Sequence, residues 1–327
     1  MIRTENEAGG PTMAMALFLK KNAIRENRIE NVGRWPIRLT DFFLVDDYEF
    51  PPSRFTEVFL VRAGNFLHET ESGTQAVRTG TAIVHHPESR HVVKQPDQVK
   101  LTRIRFLPEW FSGDFRSIIE SPDALGLFFV PTFFEIPQES RVQVFTCRES
   151  QLSFVFSLFD LLHQSLRTGR HGEPVSRVTL LEILLLLGDE YHVYWRGGNR
   201  LAIPEEVNVA LQVVETAVAS GGRLPIKLLQ SESGQSQEEL NQAFRKHLGL
   251  SLTDYAQGRR VRHAAQRLLG STDPVDSISA NFGFSDRSQM DKAFDGAFGM
   301  APDAYRMKFG INGIAMDAGG KDTKTPA

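Results

Sequence analysis

The amino-acid sequence predicts an α+β multidomain protein: an N-terminal β-barrel, a helical connector, and a C-terminal all-α domain with two helix–turn–helix subdomains. Three observations predict it. Apolar alternation punctuated by turn residues fills positions 35 to about 135. Apolar spacings of three and four replace it from about 141. Beyond 204 the chain repeats itself at an offset of 50, so that Phe244, Gly249 and Tyr255 are matched by Phe294, Gly299 and Tyr305.

Length and composition bound the rest. A chain of 327 residues is long for one compact unit. Its 41% hydrophobic and 24% charged residues are ordinary for a folded, soluble protein. The strongest apolar run, LLEILLLLG at 180–188, is interrupted by Glu182 and falls short of the roughly 20 residues that span a bilayer, so no membrane partner is expected. The first residues lack the pattern of a signal peptide. One cysteine, Cys147, excludes an internal disulfide and suits a reducing compartment. A cytoplasmic location is the expectation.

Residues 1–34 show no sustained periodicity and read as a mobile tail, as do 311–327. In 35–140, RFTEVFLVRAGNFLHE places Phe55, Glu57, Phe59 and Val61 on one strand face and Thr56, Val58, Leu60 and Arg62 on the other. Gly64-Asn65 and Ser72-Gly73 are turn signals, and short strands at such spacing suggest a barrel or a sandwich. Residues 141–200 read as a helical connector. Leu152, Val155, Phe156, Phe159, Leu162 and Leu166 form one stripe; a second helix runs from a cap at Ser176 to about Trp195 with Leu180, Leu184, Leu187 and Tyr191 aligned. That helix is apolar almost all round, which leaves two fates open: intramolecular core, or a dimer seam with Leu184 in the contact. RGGNR at 196–200 and Pro204 read as a linker.

Each repeat in 204–310 has a short apolar helix, a glycine turn and a second helix starting near Ser236 or Ser285. Leu240, Phe244 and Leu248 in copy one, and Met290, Phe294, Ala297 and Phe298 in copy two, form the inner stripes. Glu238, Asn241, Gln242, Arg245 and Lys246, and Arg287, Ser288, Gln289 and Lys292, are left for the outside, where such side chains reach base edges and phosphates.

These residues resemble the DNA-binding domain of AraC/XylS-type transcription regulators. YAQGRRVRHAAQRLL (255–269), STDPVDSISANFGFSDRSQMDKAF (271–294) and FGMAPDAYR (298–306) carry the likeness. It covers residues 224–306 and implies two helix–turn–helix units joined by a linker helix from about Leu252 to Leu269, with double-stranded DNA as partner. Arg245, Lys246, Arg259, Arg260, Arg262, Lys292 and Arg306 become the candidates for phosphates. Departures are Gln230 and Ser279 where the family expects alanine, Met290 where it expects an aromatic, and Asp295 where it expects lysine. Residues 204–310 hold 12 Lys and Arg against 13 Asp and Glu, so binding depends on where the cations sit, and fewer phosphate contacts imply a shallower salt dependence.

EVFLVRAGNFLHE and VRTGTAIVHHPESRHVV resemble the cupin-like sensor domain at the front of many such regulators. The resemblance implies an unknown small-molecule effector, with Arg54, Glu57 and His91 lining a ligand mouth; the plainer reading of His91 is a barrel-end histidine. Metal-binding cupins take paired histidines and a glutamate from the first of these strands. PPSRFTE has no histidine, and His85 and His86 are neighbours that point to opposite strand faces, so neither a metal nor another cofactor is expected.

There is no Gly-rich phosphate loop, HExxH, CxxC or GxSxG, so no enzyme is expected. The expectation is a sequence-specific DNA-binding regulator, a homodimer with RNA polymerase among its partners. The alternatives are a cupin-type binding protein or enzyme, or a protein-interaction adaptor with a degenerate helix–turn–helix.

Overall fold

The computed structural model describes residues 32–134, 142–168, 172–195 and 203–310. The expected tails at 1–31 and 311–327 and the linker at 196–200 lie outside the described residues.

One antiparallel eight-stranded sheet curls into the barrel. Its strands are β1 (Val32–Trp35), β2 (Ile37–Leu44), β3 (Tyr48–Phe50), β4 (Thr56–Thr70), β5 (Gly73–Arg78), β6 (Thr81–His85), β7 (His91–Phe106) and β8 (Val142–Thr146). The order is β1-β2-β7-β4-β6-β8, with β3 on β7 and β5 on β4. Two long strands, β4 and β7, run together from Thr56↔Phe106 to Thr70↔His91 and carry the others. Phe59, Val61, Ile83 and Leu101 fill the interior, while Val58, Leu60, Val84 and Ile104 are buried on the outside beneath the helices. Both faces of β4 are therefore apolar, because both are covered.

Three expectations change here. Residues 32–34, assigned to the tail, belong to β1, which pairs with β2. Gly64-Asn65 is not a hairpin turn: it lies inside β4, where the β4–β7 register slips between Val61 and Leu67. Gly64 has φ +83°, and a Cβ there would lie 2.4 Å from the Asp97 carbonyl oxygen, so glycine is what lets β7 pass so closely. The β texture also ends earlier than expected. Residues 108–133 are short helical turns whose Trp110, Phe111, Phe115, Phe129 and Phe133 pack under the barrel, and β8 then returns to pair with β6.

The connector is α1 (Glu149–Arg167) and α2 (Gly172–Tyr194). Pro174 sits in the first turn of α2, where its missing N–H costs nothing, so α2 starts before Ser176. Ser176 is buried instead, its hydroxyl 2.9 Å from that of Ser165 on α1. Leu180, Leu184 and Leu187 have no exposed surface. The proposed dimer seam through Leu184 is thus overturned: its neighbours belong to the same chain.

The rest is helical: α3 (Glu205–Ala219), α4 (Ile226–Ser233), α5 (Gln237–Leu248), α6 (Leu252–Gly270), α7 (Val275–Asn281), α8 (Arg287–Phe298) and α9 (Pro302–Phe309). Ser236 caps α5 in a reciprocal capping box with Glu239. Asp286, one residue beyond the expected Ser285, caps α8. Gly249 and Gly299 end the two equivalent helices at φ +77° and +64°, the left-handed geometry that glycine adopts without steric cost.

Candidate functional site

The outer faces of α5 and α8 form one candidate surface. Each helix is held by three buried apolar residues, Leu240, Phe244 and Leu248 on α5 and Met290, Phe294 and Phe298 on α8. Ala297, expected inside, is exposed because those three already fill the inner stripe. Glu238, Gln242, Arg245 and Lys246 are exposed on α5, and Ser288, Gln289 and Lys292 on α8. Gln242 donates to Glu238 Oε1 (3.3 Å), so the acid and the amide share one patch.

Several other candidates are already engaged. Asn241 Oδ1 accepts the Leu252 N–H (3.2 Å), which fastens the start of α6 to α5. Gln289 Oε1 accepts the Ser285 N–H (2.8 Å), which closes the cap of α8. Arg260 donates to the Gly222 carbonyl (3.0 Å) and Arg306 to the Asp273 carbonyl (2.6 Å). Arg287 is paired with Asp291 (2.7 Å), Asp276 (3.3 Å) and Asp303, and Asp291, followed by Asp303, raises its pKa further. Asp276, Asp291 and Asp303 thus neutralise one arginine within the fold, and Asp286 caps α8, while Lys292 stays exposed outside the trio.

Arg259 and Arg262, candidates for phosphates by position, are turned toward the barrel half instead, Arg259 buried and Arg262 half-buried. Glu215 of α3 accepts from Tyr255 (2.6 Å) and from Arg259 Nε (2.7 Å) and Nη2 (3.0 Å). Burial alone would raise the Glu215 pKa, but Arg259, His263 and Tyr255 together hold it down at about 2. The Arg259 guanidinium lies 4.0 Å from the Phe115 ring centre and 4.7 Å from that of Phe133. Arg262 donates to the Thr132 carbonyl, Gln266 to that of Trp110 (2.9 Å), and Arg54 to that of Phe298. Arg54 therefore joins the barrel to the end of α8 and does not line a ligand mouth. Charge alone cannot distinguish such an arginine from one that faces DNA.

The barrel interior is the second candidate site. Glu57 is buried, 3.7 Å from Arg103 and 4.0 Å from Arg105, and accepts from Ser53 (3.2 Å). Burial raises the Glu57 pKa against the pull of both arginines, and burial lowers that of Arg105 to about 10. Arg103 also faces the rings of Phe42 and Phe50 at 4.9 and 5.4 Å. His91 is 2% exposed, which removes the barrel-end reading. It lies inside with His68 and His85: His68 Nε2 is 3.0 Å from His91 Nδ1 and 3.3 Å from His85 Nε2. The sequence predicts no metal, because PPSRFTE has no histidine and the neighbours His85 and His86 point to opposite strand faces. The structure brings His85 instead to two histidines from other strands, and the three offer ligand atoms all within 4.8 Å of one another. Glu57, the arginine pair and the three histidines are the polar groups of this otherwise apolar interior.

Comparison with known proteins matches a family model to the helical half. A family described as "Helix-turn-helix domain" matches residues 229–308, which include both repeats. The HTH-type transcriptional activator RhaR of Mannheimia succiniciproducens is 22% identical over 263 residues, 80% of this chain and 88% of its own length. The crystal structure of ToxT from Vibrio cholerae aligns over 84% of this chain and 98% of its own, at 10% identity and a TM-score of 0.39. A cupin-2 domain protein from Shewanella frigidimarina aligns over 22% of this chain and 71% of its own, at 14% identity and a TM-score of 0.21.

Proposed function

We propose, from the premise that the chain is an AraC/XylS-type transcription regulator, that α5 and α8 read one specific double-stranded DNA site under the control of a small molecule held inside the barrel. The observation that carries this is the match of the helix–turn–helix family across 229–308, laid on two helices whose outer faces present Gln242, Arg245, Lys246, Ser288 and Lys292 to solvent. Arg and Lys suit guanine edges and phosphates, and Gln suits adenine. The curated relatives named RhaR are transcriptional activators, which favours activation here as well. Activation brings RNA polymerase into the reading, and a homodimer on two half-sites belongs to it, through a surface other than Leu184. Among the described residues no helix is long and apolar enough to cross a membrane.

Selection of bound sites from randomised duplexes, followed by footprinting at several salt concentrations, tests this reading. The expected result is one enriched motif whose affinity falls with salt along a shallow slope, because α5 and α8 expose few cations, Arg245, Lys246 and Lys292. Uniform recovery of all sequences, or binding that ignores salt, overturns it. Sedimentation of the same sample tests the dimer, which a monomer at micromolar concentration refutes.

A further inference from the structure

The geometry points to a divalent transition-metal site inside the barrel, formed by His68 of β4, His85 of β6 and His91 of β7, with zinc as the ion it fits best. This inference goes beyond the DNA-binding reading and does not depend on it.

Ser89 Oγ has one proton and donates it to the His86 carbonyl (2.6 Å). Its 3.1 Å contact with His85 Nδ1 must therefore be one it accepts, so His85 carries its proton on Nδ1. His85 Nε2 is then a lone pair, and it points at His68 Nε2 across 3.3 Å. That same His68 nitrogen also meets His91 Nδ1 at 3.0 Å. An imidazole nitrogen has a single in-plane site, a proton or a lone pair, so His68 Nε2 cannot make two full hydrogen bonds. His68 Nδ1 and His91 Nε2, both buried, have no hydrogen-bond partner. Those two outward nitrogens are unpartnered with or without an ion; the defect of the metal-free trio is that its three converging nitrogens cannot all make full hydrogen bonds, which is costly when buried.

A metal ion resolves the conflict, because it takes a lone pair from all three. Zn–N bonds of about 2.0–2.1 Å at tetrahedral angles set neighbouring nitrogens roughly 3.3–3.4 Å apart. Two of the three separations, 3.0 and 3.3 Å, lie close to that edge; the third is within 4.8 Å, and because His85 and His91 stack with centres 3.7 Å apart, those two rings turn relative to each other when an ion binds. Three imidazoles with no carboxylate among them suit zinc, copper, nickel or cobalt and exclude calcium and magnesium, which need oxygen. The rings are also packed against aromatic neighbours. Phe50 stacks on His91 with centres 4.6 Å apart, and Phe59 stands edge-on to His91 and His85 at 4.8 and 5.6 Å. Burial keeps the imidazoles neutral, lowering His68 to about 4 and His91 to about 2, so protons do not compete for the lone pairs at neutral pH. Three protein ligands leave a coordination position open to a donor from outside the chain.

The test uses the full chain, stripped with a chelator and titrated with Zn²⁺ by calorimetry and with Co²⁺ by visible absorption. One ion per chain, with the intense bands of low-coordinate cobalt bound by nitrogen, is expected. His68→Ala and His91→Ala should weaken binding by more than the roughly 10–100-fold that loss of an outer-shell partner costs, and Ser89→Ala by about that amount. His86→Ala should bind like the parent. Zinc should raise the melting temperature of the parent and leave that of the His68→Ala, His91→Ala double variant unchanged. Ser89→Ala keeps all three rings, so it remains informative if a ligand variant fails to fold. Absence of stoichiometric binding to the parent overturns the inference, as does binding that survives the double variant or is untouched by Ser89→Ala.

Discussion

His68 and His91 have ordinary imidazole pKa values in the unfolded chain and values near 4 and 2 in the folded one. Between those limits the unfolded state binds more protons, so stability rises with pH. The full contribution is present above about pH 6.5 and is lost as the pH falls, by about 1.4 kcal/mol per unit for each histidine. Chelator-treated protein should therefore lose melting temperature between about pH 6.5 and 4.5, before most carboxylates titrate. His68→Gln should flatten that slope in thermal melts at several pH values; an unchanged slope places its origin elsewhere. A second residue-scale prediction concerns the acid on α5. Glu238 is exposed and followed by Glu239, with only Gln242 bonded to it. On that basis Glu238→Ala should tighten binding to every DNA sequence. Loss of choice at a single G·C pair, on the order of 1–3 kcal/mol, would instead show that the acid reads cytosine. Lys292→Ala should reduce the salt slope by about 1. Arg287→Ala should act differently: it leaves Asp276, Asp291 and Asp303 without their shared cation, so its first effect is a lower melting temperature.

At the scale of elements, the repeat was legible because each copy needs the same parts: an inner apolar triplet, a glycine at positive φ and a tyrosine in the helix that follows. Gln230 and Ser279, the two departures from alanine, show two ways to tolerate the change. Gln230 is exposed, and the buried Ser279 hydroxyl donates to the Asp286 carbonyl at 3.3 Å. The histidine cluster was not legible, for a specific reason. Alternation counted from Glu57, Phe59 and Val61 sends every even residue of β4 outward. The slip around Gly64 reverses that parity, so Phe66 and His68 turn inward. One irregular residue pair thus hid a third of the site. The inward-turned arginines were hidden differently, since Arg259 and Arg262 stand among cations that do face solvent and only their packing partners separate them. Glu215→Gln tests how much that packing weighs. Removing one partner of a buried pair costs about 3–5 kcal/mol, so denaturant unfolding should show a large loss of stability. A loss below about 1 kcal/mol, the range of an exposed pair, would contradict the burial of Arg259.

Across the whole molecule, the inner core does not respect the boundary at 204. One apolar cluster runs from Ile37 in the barrel through the connector to Leu240, Phe244, Leu248 and Tyr255 of the first helix–turn–helix unit. The second unit has a cluster of its own, which takes Val261, Ala264 and Leu268 from the far half of α6 and Leu107 from the end of the barrel. A fragment of 204–310 would meet an obstacle to folding on its own here. Such a fragment would expose the outer side of α3 and α6, including Arg259 and the surface that Phe115 and Phe133 now cover. Circular dichroism of the fragment should show less helix than residues 204–310 have in the intact chain, and full helicity would refute this.

The single rod α6 therefore spans two cores, and a disturbance of the barrel reaches its two ends unequally. Amide hydrogen exchange makes the inequality measurable, because exchange reports how often each segment opens. Loosening the barrel's outer face, for example with Leu60→Ala, should speed exchange in α4 and α5, whose protection is borrowed from the cluster they share with it. Protection in α7 and α8 should change less, since their packing is largely their own. Effector occupancy would then set the opening frequency of one reading helix while the other stays closed, so that the two halves of an operator are gripped with different persistence.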